Sequence, residues 1–127
     1  MNAMSLPLSL VLLEDYAPDA ELIVRALRRA GYDPSWTRVT TEEEFLETLK
    51  QPPEIILADS SLPLFSMSRA LVLLSERGLA IPVITVSGRS DDAAPECIKM
   101  GATDYVSKDD LDRLPHAICK ATGKDPG

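Results

Sequence analysis

The chain has 127 residues, a net charge of −7, and 45% hydrophobic against 26% charged residues. That length predicts a single domain over 1–127, with an ordered core from about 8 to 121 and enough apolar material to bury. The acidic balance argues against nucleic-acid binding, the apolar runs are too short to span a bilayer, and the first residues lack the basic start of a secretory signal.

In chain order, short β-like runs alternate with helical stretches. Leu8 to Leu13 predicts a central strand, and Asp19 to Ala30 a helix with Leu22, Ile23, Ala26, Leu27 and Ala30 inward and Gly31 as its stop. Trp36 to Val39 predicts a second strand whose Thr and Arg suit a sheet edge. Thr41 and Glu44 form a capping box for a helix burying Phe45, Leu46 and Leu49 and ending at Pro52-Pro53. Glu54 to Ala58 reads as strand three. After the loop SSLPLF, a helix from about Ser68 to Arg77 packs Leu71 and Leu74 and stops at Gly78. Pro82 to Val86 gives strand four, and Asp91 or Asp92 can cap a helix running to Met100. Thr103 to Val106 gives strand five, and a last helix spans about Asp110 to Ala121 with Leu111, Leu114 and Ile118 inward. The tail TGKDPG is polar and expected to fray. Cys97 and Cys119 lack metal-ligand or disulfide-framework spacing and suit small apolar positions in a reducing compartment.

Alternating strands and helices predict a (βα)5 chain: an α/β three-layer sandwich with a parallel sheet between helices. With right-handed crossovers, a central first strand and a polar second strand favour the flavodoxin-like order 2-1-3-4-5. In such sheets ligands bind at the carboxyl ends of the strands. Glu14 and Asp15 follow strand one, Asp59 follows strand three, Ser87 follows strand four and Lys108 follows strand five. Strands one and three are neighbours in this order, so the three carboxylates should converge. Clustered carboxylates repel, and a divalent cation relieves that repulsion. Mg²⁺ suits one or two carboxylates plus water, with Asp15 and Asp59 as direct ligands, Glu14 direct or through water, and the Ser61 carbonyl as a further ligand. A carboxylate can also attack phosphorus. Lys108 and Ser87 would then neutralise the phosphoryl oxygens, Lys108 as a compact point charge.

The stretches VLLEDYAPDAELI, IILADSSLPL, VITVSG and GATDYVSKDDL, in this order and spacing, resemble the receiver domain of two-component response regulators over Leu8 to about Ala121. The resemblance implies a CheY-like fold, Mg²⁺ (with Mn²⁺ as a substitute), and a phosphoryl group taken from a sensor histidine kinase or phosphotransfer protein in the cytoplasm. It implies Asp59 as phosphoacceptor, Glu14 and Asp15 as the acidic pair, Ser87 as switch hydroxyl, Lys108 as phosphate-contacting lysine and Tyr105 as switch aromatic. Ser61 and Arg89 occupy the positions that tune phosphoryl lifetime, although a plain loop cation is the simpler reading of Arg89. The chain departs from the family at two places: Met67 stands where a Gly commonly ends the loop after the acceptor, and Asp109 stands where a cis-Pro commonly follows the lysine. The Lys-Asp-Asp-Leu ending looks like receivers fused to sensor kinases, which implies a longer parent protein.

The expected activity is self-phosphorylation and self-dephosphorylation without turnover of an external substrate. The expected readout is a homodimer face on helix four, strand five and helix five, with Lys99, Met100, Tyr105 and Arg113. The alternative is a phosphorylation-independent docking module on the same fold. A hydrolase of the aspartyl-phosphate type needs a second Asp two residues after the nucleophile, where this chain has Ser61. A flavin phosphate would need donors where EDYAPDA places acids. His116 reads as a surface or packing residue, and Glu42, Glu43, Glu44 and Glu47 as a solvated helix face.

Overall fold

A computed structural model describes residues 5–59, 66–88 and 94–126. Five parallel strands form one sheet of order β2-β1-β3-β4-β5: β1 Leu6–Leu13, β2 Tyr32–Val39, β3 Ile55–Ala58, β4 Val83–Ser87 and β5 Asp104–Ser107. The helices are α1 Ala17–Arg29, α2 Glu42–Thr48, α3 Met67–Glu76, α4 Ala94–Met100 and α5 Leu114–Thr122, with a 3-10 turn over Lys108–Arg113. The flavodoxin-like strand order is as expected.

The near-continuous apolar runs of β1, β3 and β4 follow from burial on both sheet faces. Alternation sends Leu8, Leu10 and Leu12 of β1, with Ile55 and Leu57 of β3, against Ile23, Leu27, Leu114 and Ile118 on α1 and α5. Val11 and Leu13, with Ile56 and Ala58, pack against Phe45 of α2 and Ala70, Leu73 and Leu74 of α3. Two cores thus sandwich the sheet.

Several elements differ from expectation for local reasons. Strand β2 begins at Tyr32 and pairs with β1 along its whole length, with Trp36 opposite Leu10. It contains Pro34, which an edge strand tolerates because one side of its backbone needs no ladder partner. Helix α1 starts at Ala17, with Pro18 in its first turn. Its inward stripe is Ala20, Ile23, Val24 and Leu27, whereas Leu22, expected to face inward, is 49% exposed. The last helix starts only at Leu114, with Pro115 in its first turn. Proline lacks the N–H that a longer helix would need there, and Asp110 leaves helical geometry at φ −137°. The capping box at Thr41 and Glu44 is present.

The tail that was expected to fray is tied down. Tyr32 donates its hydroxyl to the Lys124 carbonyl at 2.6 Å. Lys124 Nζ pairs with Glu54 at 2.6 Å and donates to the Pro7 carbonyl at 2.7 Å. Gly31, which ends α1 at φ +103°, leaves room for Pro126: a Cβ at Gly31 would meet the Pro126 ring at 3.0 Å.

Candidate phosphoryl-acceptor site

Register brings the carboxylates together. Leu13 of β1 pairs with Ala58 of β3, so the next residues, Glu14 and Asp59, stand side by side where the strands end. Backbone bonds hold both: Asp59 N–H donates to the Leu13 carbonyl at 2.8 Å and Glu14 N–H to the Val39 carbonyl at 3.3 Å. One carboxylate oxygen from each of Glu14, Asp15 and Asp59 lies within 4.8 Å of the others. Glu14 and Asp59 are buried at 2% and 7% exposure, and Asp15 is exposed.

Lys108 enters from the end of β5. Its Nζ lies 2.7 Å from Glu14 Oε1, 2.7 Å from Asp19 Oδ2 and 3.0 Å from Asp59 Oδ2. The contacts to Asp19 and Asp59 are hydrogen bonds. The contact to Glu14 is an ion pair that seats the ammonium on the buried Glu14 Oε1. Glu14 Oε2 accepts from the Tyr16 N–H at 3.1 Å.

Burial pushes the Glu14 carboxyl above its ordinary value and the Asp59 charge adds to this, while Lys108 and the Tyr16 N–H partly offset it. Burial alone would discourage the Lys108 ammonium, but Asp19, Glu14 and Asp59 outweigh it and hold Lys108 protonated well beyond its usual range. Two buried carboxylates and an exposed third, with oxygens within 4.8 Å of one another, fit a hard divalent cation, which binds oxygen donors and retains water.

Of the other expected residues, Ser87 is the last residue of β4 and fully buried. Tyr105 is in β5 at 6% exposure, opposite Thr85. Both belong with Thr85 to the α3 side of the sheet by alternation, while Lys108 reaches the carboxylates on the α1 side. Ser61, Arg89, Asp91 and Asp92 lie outside the described residues. His116 is exposed, as expected. Arg113 donates to the Tyr105 carbonyl and lies 3.5 Å from Asp104.

At the first departure from the family pattern, Met67 is the first residue of α3, capped by Ser66, and no described non-glycine residue has a positive φ. Its sulfur accepts the buried Thr85 hydroxyl at 2.9 Å. At the second, no described peptide bond is cis, and Asp109 N–H donates to the Ser107 hydroxyl at 3.1 Å.

Two neighbours of the site carry no clear mark of it in the sequence. Asp19 marks only a helix start, and Arg38 only a polar residue of an edge strand, but Arg38 donates to the Glu14 and Asp15 carbonyls at 3.3 and 3.4 Å. Their signals were weak: an acid one helical turn after Asp15, and an arginine level with the end of strand one.

The response regulator receiver domain model matches residues 10–119, and the chain belongs to this family. No curated protein sequence matches it. Among solved structures, the chain is similar to the signal receiver domain of a protein described as a Luxo repressor from Vibrio parahaemolyticus, at 25% identity and TM-score 0.76, covering 93% of this chain and 92% of that one. It is similar to a DNA-binding response regulator of the LuxR family from Staphylococcus aureus, at 18% identity and TM-score 0.75, covering 91% and 98%. It is also similar to the receiver domain of a sensor histidine kinase from Pseudomonas aeruginosa PAO1 with a magnesium ion in its active-site cleft, at 20% identity and TM-score 0.69, covering 93% and 99%. No helix among the described residues is long and apolar enough to cross a membrane.

Proposed function

We propose that this receiver is a single phosphoacceptor unit, modified on Asp59 by a phosphohistidine of a sensor histidine kinase or phosphotransfer protein in the cytoplasm. The observation that carries this reading is the buried Asp59 carboxylate, hydrogen-bonded to Lys108 at 3.0 Å and grouped with Glu14 and Asp15. An Asp59 oxygen attacks phosphorus. The P–N bond breaks with its electron pair going to the imidazole, which takes up a proton. Transfer of this kind depends on positioning and charge neutralisation more than on covalent help.

Glu14, Asp15 and Asp59 would hold Mg²⁺, or Mn²⁺ in its place, with the Ser61 carbonyl as a further ligand. Bound there, Mg²⁺ supplies positive charge opposite the transferring phosphoryl oxygens. Lys108 meets one phosphoryl oxygen as a fixed ammonium, and the Ser87 hydroxyl meets another. Tyr105, beside Thr85 on the same sheet face, relays the state of Ser87 to the face of α4, β5 and α5, as acyl phosphates bias a two-state element.

The test is incubation with Mg²⁺ and acetyl phosphate followed by intact-protein mass measurement. Wild type gains one phosphate and Asp59→Asn gains none; equal labelling of the Asn variant overturns the assignment. The relay face exposes Ile98 at 46% and Met100 at 48%. Sedimentation should show dimer formation through this face with a phosphoryl mimic bound, and Ile98→Glu should abolish it. A monomer under both conditions counts against the dimer.

A further inference from the structure

We propose that Asp19 is the positioning residue for Lys108, anchoring the ammonium beside the acceptor oxygen of Asp59. This rests on the phosphoacceptor reading of Asp59, and it adds a residue that the strand-end pattern does not contain.

Three observations carry it. First, the Asp19 bond to Lys108 is 2.7 Å, as close as the Glu14 contact and shorter than the 3.0 Å bond to Asp59 itself. Second, Asp19 stands outside the Glu14, Asp15 and Asp59 group. When those three carboxylates share a cation, and Asp59 carries a phosphoryl group, Asp19 is the carboxylate left to hold Lys108. Third, the two partners differ in rigidity. Asp19 sits in the first turn of α1 with its N–H bonded to the Tyr16 carbonyl at 3.1 Å. The next residue, Ala20, is fully buried, and Ile23 one turn on is at 2% exposure. Lys108 opens a 3-10 turn that contains a non-helical residue, Asp110, and no buried one. A long flexible stem on such a turn takes its direction from what it binds. Asp19 therefore gives the lysine a fixed address, and α1 supplies the rigidity.

The experiment uses the whole chain with Mg²⁺ and acetyl phosphate. Asp19→Ala should slow phosphoryl acceptance roughly tenfold, the scale of one charge-assisted hydrogen bond. Asp19→Asn, which keeps an acceptor oxygen, should lose only about threefold on the same scale. In a Lys108→Met background, Asp19→Ala should cost nothing further, because the effect runs through the lysine. An equal loss in that background overturns the proposal.

A second readout needs no phosphorylation. With Mg²⁺ present, so that Glu14 and Asp59 are engaged by the cation, the ¹⁵N-detected ammonium signal of Lys108, assigned by its loss in Lys108→Met, should be sharp in wild type, retained in Asp19→Asn and broadened in Asp19→Ala. A signal unchanged in Asp19→Ala overturns the anchoring. If wild type takes no phosphate while this signal behaves as expected, the phosphoacceptor reading falls and the hold of Asp19 on Lys108 stands. Thermal unfolding of each variant checks that the fold is intact.

Discussion

At the scale of single residues, what sequence shows best is a side chain whose place is set by its own strand. Glu14, Asp15, Asp59 and Lys108 each follow an apolar run, so the sheet delivers them to one edge. Asp19 and Arg38 take their meaning from partners 89 and 24 residues away, and no local pattern marks such contacts. Met67 is a related case. The sequence shows a bulky residue where a glycine is common, and the fold shows its purpose as acceptor for the Thr85 hydroxyl. Met67→Leu should remove that acceptor and leave the hydroxyl buried without it, at a cost of about 1–2 kcal/mol. Adding Thr85→Val should recover most of the loss, since both partners are then apolar. Denaturant unfolding of the two single variants and the double variant checks this, and a double variant weaker than Met67→Leu alone refutes it.

At the scale of elements, ends were harder to place than identities. Phe45 and the Thr41–Glu44 box locate α2 because the signal is chemical and local: the Thr41 side chain accepts the Glu44 N–H at 3.2 Å and the Glu44 carboxylate accepts the Thr41 N–H at 3.2 Å. Thr41→Ala should cost about 1 kcal/mol, read as a lower unfolding midpoint without loss of phosphoryl acceptance. Pro18 and Pro115 set the starts of α1 and α5 in opposite directions from expectation: α1 begins earlier and α5 later. A proline fits the first turn of a helix, so it marks a start as readily as a break. Val24 replaces Leu22 in the buried stripe of α1 because Ala20, Ile23, Val24 and Leu27 lie three and four residues apart and share one side.

At the scale of the whole molecule, strand order followed from polarity: β1 and β3 are apolar enough to be interior, and β2 carries the Thr, Arg and Pro of an edge. The clamp on the tail was not legible, since Lys124, Glu54, Tyr32 and Pro7 are ordinary residues until the fold assembles them. It has a pH signature. Burial first, then the charges of Cys119 and Asp125, push the Tyr32 phenol from 10.0 up to about 12. A folded value above the unfolded one means that this contribution is whole below pH 10 and is lost as pH rises through about 12. Glu54 has the opposite sign. Burial opposes its charge, but Lys124 and Ser9 outweigh burial and hold the carboxyl below 4.5, so its contribution is present above that pH and fades as acid titrates it. The stability gap between wild type and Lys124→Ala should therefore narrow in acid below pH 4.5. Tyr32→Phe should delete the phenolate absorbance that appears near pH 12. A gap constant through the acid range, or an unchanged alkaline absorbance, contradicts these assignments.

The one tryptophan, Trp36, stands three residues before the end of β2, about 10 Å back along the strand, with β1 between it and the strand that carries Asp59. Tryptophan emission from this chain is accordingly a gauge of whether the sheet is folded more than of what happens at Asp59. An optical assay of the site needs a fluorophore placed there, and Tyr16, 59% exposed beside Asp15, is the position to carry it.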